Sequence, residues 1–215
     1  LEPGSLAATR GGKSPGTSTT AATTIEMPPR NDGLDPPSDH TFYGLINGCI
    51  EDVICQGYGR DKWHEVKERA GCGDVEDGDF VISQKYSSDL TYKILGAITE
   101  VLKITAEEAL EATGEGFINS WCVKHDYVDL LRSQGKNMRE LLGNMDKMHA
   151  YLRRAKMPGM SPPCFKVEDA SDGRGFVLHY WSFRAGLAPL AKGVVQAVGR
   201  MLFNTEFRME GGGAS

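Results

Sequence analysis

Apolar residues recur at helical spacing through most of the chain's centre. Leu45, Ile46, Cys49, Val53 and Ile54 predict a helix from Phe42 that breaks at Gly57–Gly59. A short helix around Trp63, Val66 and Lys67 carries the pattern to Ala70. Phe80–Ile82 is too short to assign. Leu90–Leu102 predicts another helix, and Thr105 caps the next, with Glu107 and Glu108 where carboxylates meet the positive end of a helix dipole. Phe117–Trp121 is apolar and aromatic, and helical character continues over Tyr127–Leu131. The cleanest stripe lies in 138–152. There Met138, Leu141, Leu142, Met145, Met148 and Leu152 share one face, and Arg139, Glu140, Lys147 and Arg153 lie mostly opposite. His149 falls within the stripe.

Beyond 152 the period changes. Cys164–Val167 and Gly175–Arg184 read as strands, a last helix is predicted over Leu190–Phe203, and a short strand near Glu206–Met209. In Phe176–Arg184 the alternation puts Tyr180, Ser182 and Arg184 on one face, and Val177, His179, Trp181 and Phe183 on the other.

Composition narrows the setting. Residues 1–40 are rich in Gly, Ser, Thr and Pro and are expected to be disordered, as is the tail 211–215. Between them, residues 41–210 suffice for one domain. With 40% hydrophobic and 25% charged residues, the composition is that of a globular protein. A net charge of −5 without a basic stripe disfavours nucleic acid as a partner. Five cysteines (Cys49, Cys55, Cys72, Cys122 and Cys164) without a CxxC pair read as reduced thiols of a cytoplasmic protein. No apolar run is long enough to span a membrane. The chain starts with Leu1 and ends in Gly-Gly-Gly-Ala-Ser, and reads as a fragment.

Two motif-like stretches dissolve on inspection. Gly12-Lys13-Ser14 lacks the first glycine of a phosphate loop, since Ala7 stands there. The acidic run Asp74–Asp79 has Gly73 and Val75 where a calcium loop needs carboxylates, so a solvated turn is expected.

Two clusters carry chemistry. His149 offers a neutral imidazole facing an apolar cavity, as the proximal side of a five-coordinate haem iron requires; a hydrogen-bonded core histidine is the alternative. Tyr180, Ser182 and Arg184 form a compact donor set suited to carboxylates, because hydrogen bonds from a guanidinium are about twice as strong as neutral ones. Together they would supply roughly 2–5 kcal/mol. The alternative is an ordinary sheet face. His179 points away from this set and reads as structural.

In combination these residues resemble the H-NOX family, the haem nitric oxide/oxygen binding domains that include the sensor of the soluble guanylate cyclase β subunit. Asp146-Lys147-Met148-His149 resembles the proximal helix, with His149 as axial ligand. Pro158-Gly159-Met160 followed by Pro163 and Phe165 resembles the stretch whose later proline, here Pro163, presses on the haem face. Tyr180, Ser182 and Arg184 match the Tyr-x-Ser-x-Arg signature that binds the propionates. Phe42–Asn47 resembles the family's opening, and the likeness runs from about Phe42 to Met209.

The resemblance implies an α+β fold. A helical N-terminal subdomain would pack on a C-terminal subdomain with an antiparallel sheet and helices, with haem b buried between them. Oxygen-binding members place a distal tyrosine just after the signature strand, where this chain has Pro189 and Leu190. A distal pocket lined by Leu190, Phe117 and Ile46 therefore implies nitric oxide and carbon monoxide as ligands, with little oxygen binding. The output would pass to a cyclase or other effector. An oxygen-binding or redox-sensing H-NOX protein and a cofactor-free interaction domain are the rivals. A peroxidase lacks an evident distal acid–base pair, since His125, between Lys124 and Asp126, reads as surface. A thiol enzyme built on Cys164 or Cys122 lacks a recognisable histidine partner.

Overall fold

The computed structural model describes residues 19–23, 41–78, 80–170 and 175–211. Gly12-Lys13-Ser14 and Asp79 lie outside them. The chain is α+β, mainly helical to residue 155 with three short strands, and mixed thereafter.

Strand β2 (Thr41–Tyr43) opens the main body, and helix α1 (Gly44–Tyr58) follows it. The helix expected from Phe42 thus begins two residues later. Gly44 explains the tight start, because a Cβ there would lie 2.2 Å from the Val81 carbonyl oxygen. The helix continues through Gly57 and stops at Gly59, whose φ of 89° suits only glycine. Helix α2 (Arg60–Ala70) then ends on Gly71 in the left-handed conformation. Strand β3 (Lys85–Ser87) pairs antiparallel with β2. Neither three-residue strand has enough alternation to be legible in the sequence.

Helix α3 (Ser88–Leu102) is capped by Ser87, and α4 (Ala106–Gly116) by a reciprocal Thr105–Glu108 box. A π-helical stretch, Phe117–Cys122, continues α4. Helix α5 (Val128–Arg132) is short, and α6 (Met138–Ala155) starts at Asn137, whose side chain accepts from the Glu140 amide at 2.9 Å. The expected stripe is the buried face of α6: Met138, Leu141, Leu142, Met145 and Met148 are all buried.

Strands β4 (Cys164–Asp169) and β5 (Phe176–Trp181) form an antiparallel pair. The strand predicted to reach Arg184 ends at Trp181 instead. Ser182 begins a turn in which its hydroxyl accepts from the Arg184 amide at 3.1 Å, a local bond that competes with the ladder. Helix α7 (Ala188–Phe203) has Pro189 in its first turn, where a missing N–H costs nothing.

Strand β6 (Phe207–Gly211) pairs in parallel with β1 (Thr19–Thr23). These five residues fall within the stretch expected to be disordered. Backbone pairing with β6 needs no apolar side chains, so composition does not reveal it.

Two hydrophobic cores result, and α1 separates them. Ile50 and Ile54 pack with Trp63, Val66, Ile94 and Ile98 on one side. Leu45 and Cys49 pack with Ile118, Leu141, Leu178 and Val195 on the other. Helices α4 and α7 cross closely enough that a Cβ on Gly114 would lie 2.1 Å from the Leu190 carbonyl oxygen. One on Gly193 would lie 2.1 Å from that of Glu111. Any side chain there forces the helices apart, so these glycines fix the wall that α7 presents to the second core.

Candidate functional site

A cavity of about 250 Å³ opens between α1, the π-helical stretch, α6, the 157–163 loop and α7. Ile46, Phe117, His149, Pro163, Tyr180, Ser182, Arg184 and Leu190 all line it. The eight candidate residues, drawn from six separate stretches of sequence, are thus brought together in one place.

Helix α6 supplies His149, flanked in the lining by Met145, Met148 and Leu152. Its Nδ1 is shielded from solvent, and its ring lies 6.1 Å from that of Phe165. Phe165 in turn lies 5.6 Å from Tyr180, so one aromatic ring links the imidazole to the polar end. Asp146, one turn before His149, accepts from the Phe165 amide at 3.0 Å and ties α6 to β4.

The polar end comes from β5 and the turn after it. Tyr180 is buried, and burial pushes its hydroxyl above the usual phenol range against the opposing pull of Ser182 and Arg184. It is therefore a donor at neutral pH. Arg184 donates to the Ser161 carbonyl at 2.8 Å and to the Thr41 carbonyl, and its guanidinium sits 4.3 Å over the Phe42 ring. Tyr43 donates to the Pro158 carbonyl at 2.6 Å. The opening strand is thereby joined to the loop that follows α6. The two bonds from opposite ends of the chain, Tyr43–Pro158 and Arg184–Thr41, span 115 and 143 residues, and no local pattern announces such pairs.

The other walls are mainly apolar, with Thr113, Trp121 and Tyr127 also in the lining. Phe117 stacks on Trp121 at 5.2 Å, and Trp121 stacks on Tyr127 at 5.3 Å. His125 is half-buried, its ring 4.6 Å from Trp121, rather than a plain surface residue. Fully buried Ile118 also lines the cavity. Sequence reasoning missed it because a single isoleucine in an apolar run carries no signal of direction. His179 lies outside the lining, 3.1 Å from Glu168 and stacked on Trp181, as expected of a structural residue.

Cys49 and Cys122 both line the cavity and are almost wholly buried. Burial chiefly, then the Asp52 charge and Cys122, pushes the Cys49 thiol far up, and burial pushes Cys122 up to about 12. Both are protonated at neutral pH, which removes the thiolate a cysteine nucleophile needs. A raised thiol pKa stabilises the fold fully below the unfolded value of roughly 8.5, and that contribution is lost as pH rises towards the folded value. Under reducing conditions, stability should fall between pH 8.5 and 10 by up to about 1.4 kcal/mol per pH unit for each such thiol. Cys122→Ala should lower that slope by one thiol's share in urea titrations. An unchanged slope would rule out its burial as a thiol.

The residues fit the haem that the sequence resemblance implies. Apolar walls would accept the macrocycle, one imidazole is available on α6, and phenol, hydroxyl and guanidinium donors gather at one end, where two carboxylates need them. Among the described residues, no group of three or more His, Cys, Asp or Glu side chains could hold a metal by itself.

Comparison with known proteins agrees. Residues 43–211 match the family model described as Haem-NO-binding. The chain is 31% identical over 173 residues to soluble guanylate cyclase gcy-34 of Caenorhabditis elegans, covering 78% of this chain and 24% of that protein. It is 36% identical over 103 residues to the guanylate cyclase soluble subunit beta-2 of Rattus norvegicus, covering 48% and 15%. It therefore spans about a quarter or less of these relatives. Its fold is similar to that of an H-NOX protein from S. oneidensis in the Fe(II)NO ligation state, with TM-score 0.60, 18% identity and coverage of 74% and 84%. Fe(II) unliganded H-NOX protein from K. algicida gives TM-score 0.62, 19% identity and coverage of 77% and 85%.

Proposed function

The chain belongs to the haem-NO-binding family, and on that premise we propose that it is a gas-sensor domain, selective for nitric oxide and carbon monoxide over oxygen. The observation that carries this reading is the meeting of His149, the Tyr180–Ser182–Arg184 donor set and the apolar Ile46–Phe117–Leu190 wall in one cavity. Haem b held there would supply a ferrous iron able to bind an imidazole and a diatomic gas.

The chain's own residues do the rest. His149 would provide a nitrogen to hold the iron, and Pro163 would bear on the macrocycle. Tyr180, Ser182 and Arg184 would donate to its carboxylates, replacing water as their partner. A hydrogen-bond donor near the gas would favour oxygen more than nitric oxide or carbon monoxide. Ile46, Phe117 and Leu190 offer no donor, so a gas facing that wall would give oxygen no such advantage.

A change at the haem would reach α6 through His149. That helix is tied to β4 through Asp146 and the Phe165 amide, and through the Arg139–Asp169 ion pair at the hairpin's end. Movement of His149 would therefore shift the α6–hairpin arrangement between two populations. The output would be read by a guanylate cyclase or other effector, whether in a longer chain or in a partner. No helix among the described residues is long and apolar enough to cross a membrane. The five free thiols suit a reducing compartment, and we assign the domain to the cytoplasm.

The test is the absorption spectrum of the anaerobically reduced, haem-loaded protein, then with nitric oxide, then separately in air. A five-coordinate Soret band that shifts with nitric oxide and is indifferent to air is expected. A stable change in air would favour an oxygen-binding domain, and a folded protein that takes up no haem would end the sensor reading.

A further inference from the structure

Arg184 lies beyond the end of β5, in a turn whose own ladder bonds have stopped. A guanidinium on a turn binds carboxylate well only if the turn is held still, because ordering it on binding costs affinity. Beside the local Ser182 bond and the bond to the Ser161 carbonyl, further support for this turn comes from the opposite subdomain. Tyr92, on the exposed side of α3, reaches across and donates its hydroxyl to the Ala185 carbonyl at 3.1 Å. Its ring meets Phe42 edge-on at 6.1 Å and 72°, and Phe42 is the ring beneath the guanidinium. Arg184 is thus braced from below by Phe42 and at the next residue by Tyr92.

We propose that Tyr92 is a positioning residue for the carboxylate-binding end, holding the Arg184 turn in its donor geometry from the N-terminal subdomain. This rests on the haem-pocket reading above. Tyr92 does not line the cavity and acts only through Arg184. The electrostatics are consistent with this closeness: desolvation chiefly raises the Tyr92 hydroxyl, the Arg184 charge opposes it, and Tyr92 in turn bears on Tyr180. The placement also explains a large side chain that stays 39% exposed on a helix whose neighbouring positions Thr91, Ile94 and Leu95 are buried. Its ring and hydroxyl have partners across the subdomain boundary rather than in the core.

The probe is metal-free protoporphyrin IX, which leaves iron ligation out of the measurement, compared with its dimethyl ester, which has no carboxylate. Tyr92→Phe keeps the ring and loses one bond, so the fold is expected to survive, with urea unfolding of the porphyrin-free protein as the check. Fluorescence titration should show affinity for the free acid falling roughly three- to tenfold, with affinity for the diester unchanged. Equal losses for both porphyrins would assign Tyr92 a general structural role and overturn the proposal. No loss for the free acid would overturn it as well, while leaving the haem pocket intact. If the wild-type protein bound neither porphyrin, the pocket reading itself would fall, and this inference with it.

Discussion

Replacing His149 by glycine is expected to give a folded domain whose reduced haem spectrum depends on imidazole added to the solution. A glycine inside a helix costs about 1 kcal/mol relative to alanine. Helix α6 can absorb that, because its 18 residues bury Met138, Leu141, Leu142, Met145 and Met148 independently of position 149. What disappears is the axial nitrogen. Haem affinity should fall by roughly a hundredfold or more, since removing even an outer-shell partner of a metal ligand costs 10–100-fold. Millimolar imidazole should enter the space vacated by the side chain and restore the five-coordinate ferrous band. The rescued complex should also lose its signal. A free imidazole is not attached to α6, so nitric oxide should no longer alter hydrogen exchange along residues 138–155. A glycine variant with the parent spectrum and no need of imidazole would show that another residue ligates the iron.

Arg184→Ala should have the second large effect, in two separable parts. Without haem, the substitution removes the donors to the Ser161 and Thr41 carbonyls and the cation over Phe42. Hydrogen bonds from a charged donor contribute about 1.5–3 kcal/mol and a cation–π contact about 0.5–2 kcal/mol, and these contributions are not additive. A loss of roughly 2–4 kcal/mol in the urea-unfolding free energy is therefore expected. With haem, the charged partner of the carboxylates goes too, and transfer of haem to an acceptor globin should accelerate by at least roughly tenfold. Arg184→Lys should recover only part of either loss, because an ammonium cannot present the planar fork that spans two carbonyls while stacking on a ring. A stability loss below about 1 kcal/mol would mean that the bridge between β2 and the 157–163 loop holds without the guanidinium.

The site was legible in the sequence where one element supplies its chemistry within a periodic pattern. Helix α6 is the clear case. Its stripe survives into the structure residue by residue, and His149 sits where the spacing puts it. The β4–β5 hairpin was likewise readable from alternation, and its burial pattern from Phe176 to Tyr180 alternates as expected. The end of β5 was not, because a serine's local bond to a backbone amide looks the same in sequence whether the chain extends or turns. Tyr180, Ser182 and Arg184 reach the cavity all the same, by a turn rather than by a common strand face.

Least legible were the contacts that close the site. Strands β2 and β3 are three residues each, and the bonds from Tyr43 and Arg184 join segments more than a hundred residues apart. Propensity and period act over a few turns of chain and contain no information at that range. The pairing of Thr19–Thr23 with β6 is a backbone affair, invisible to composition for the same reason.

Helix α1 has apolar residues around most of its circumference because both of its sides are interior. Ile50 and Ile54 face the helical core, while Ile46 and Cys49 face the cavity. Packed interiors are nearly incompressible, so volume added or removed behind α1 is transmitted through it. The cavity can therefore be reshaped from behind, by substitutions at residues that do not line it. A lineage drifting at Ile50, Ile94 or Ile98 would change the shape of the cavity while every residue of its recognisable signature stayed the same.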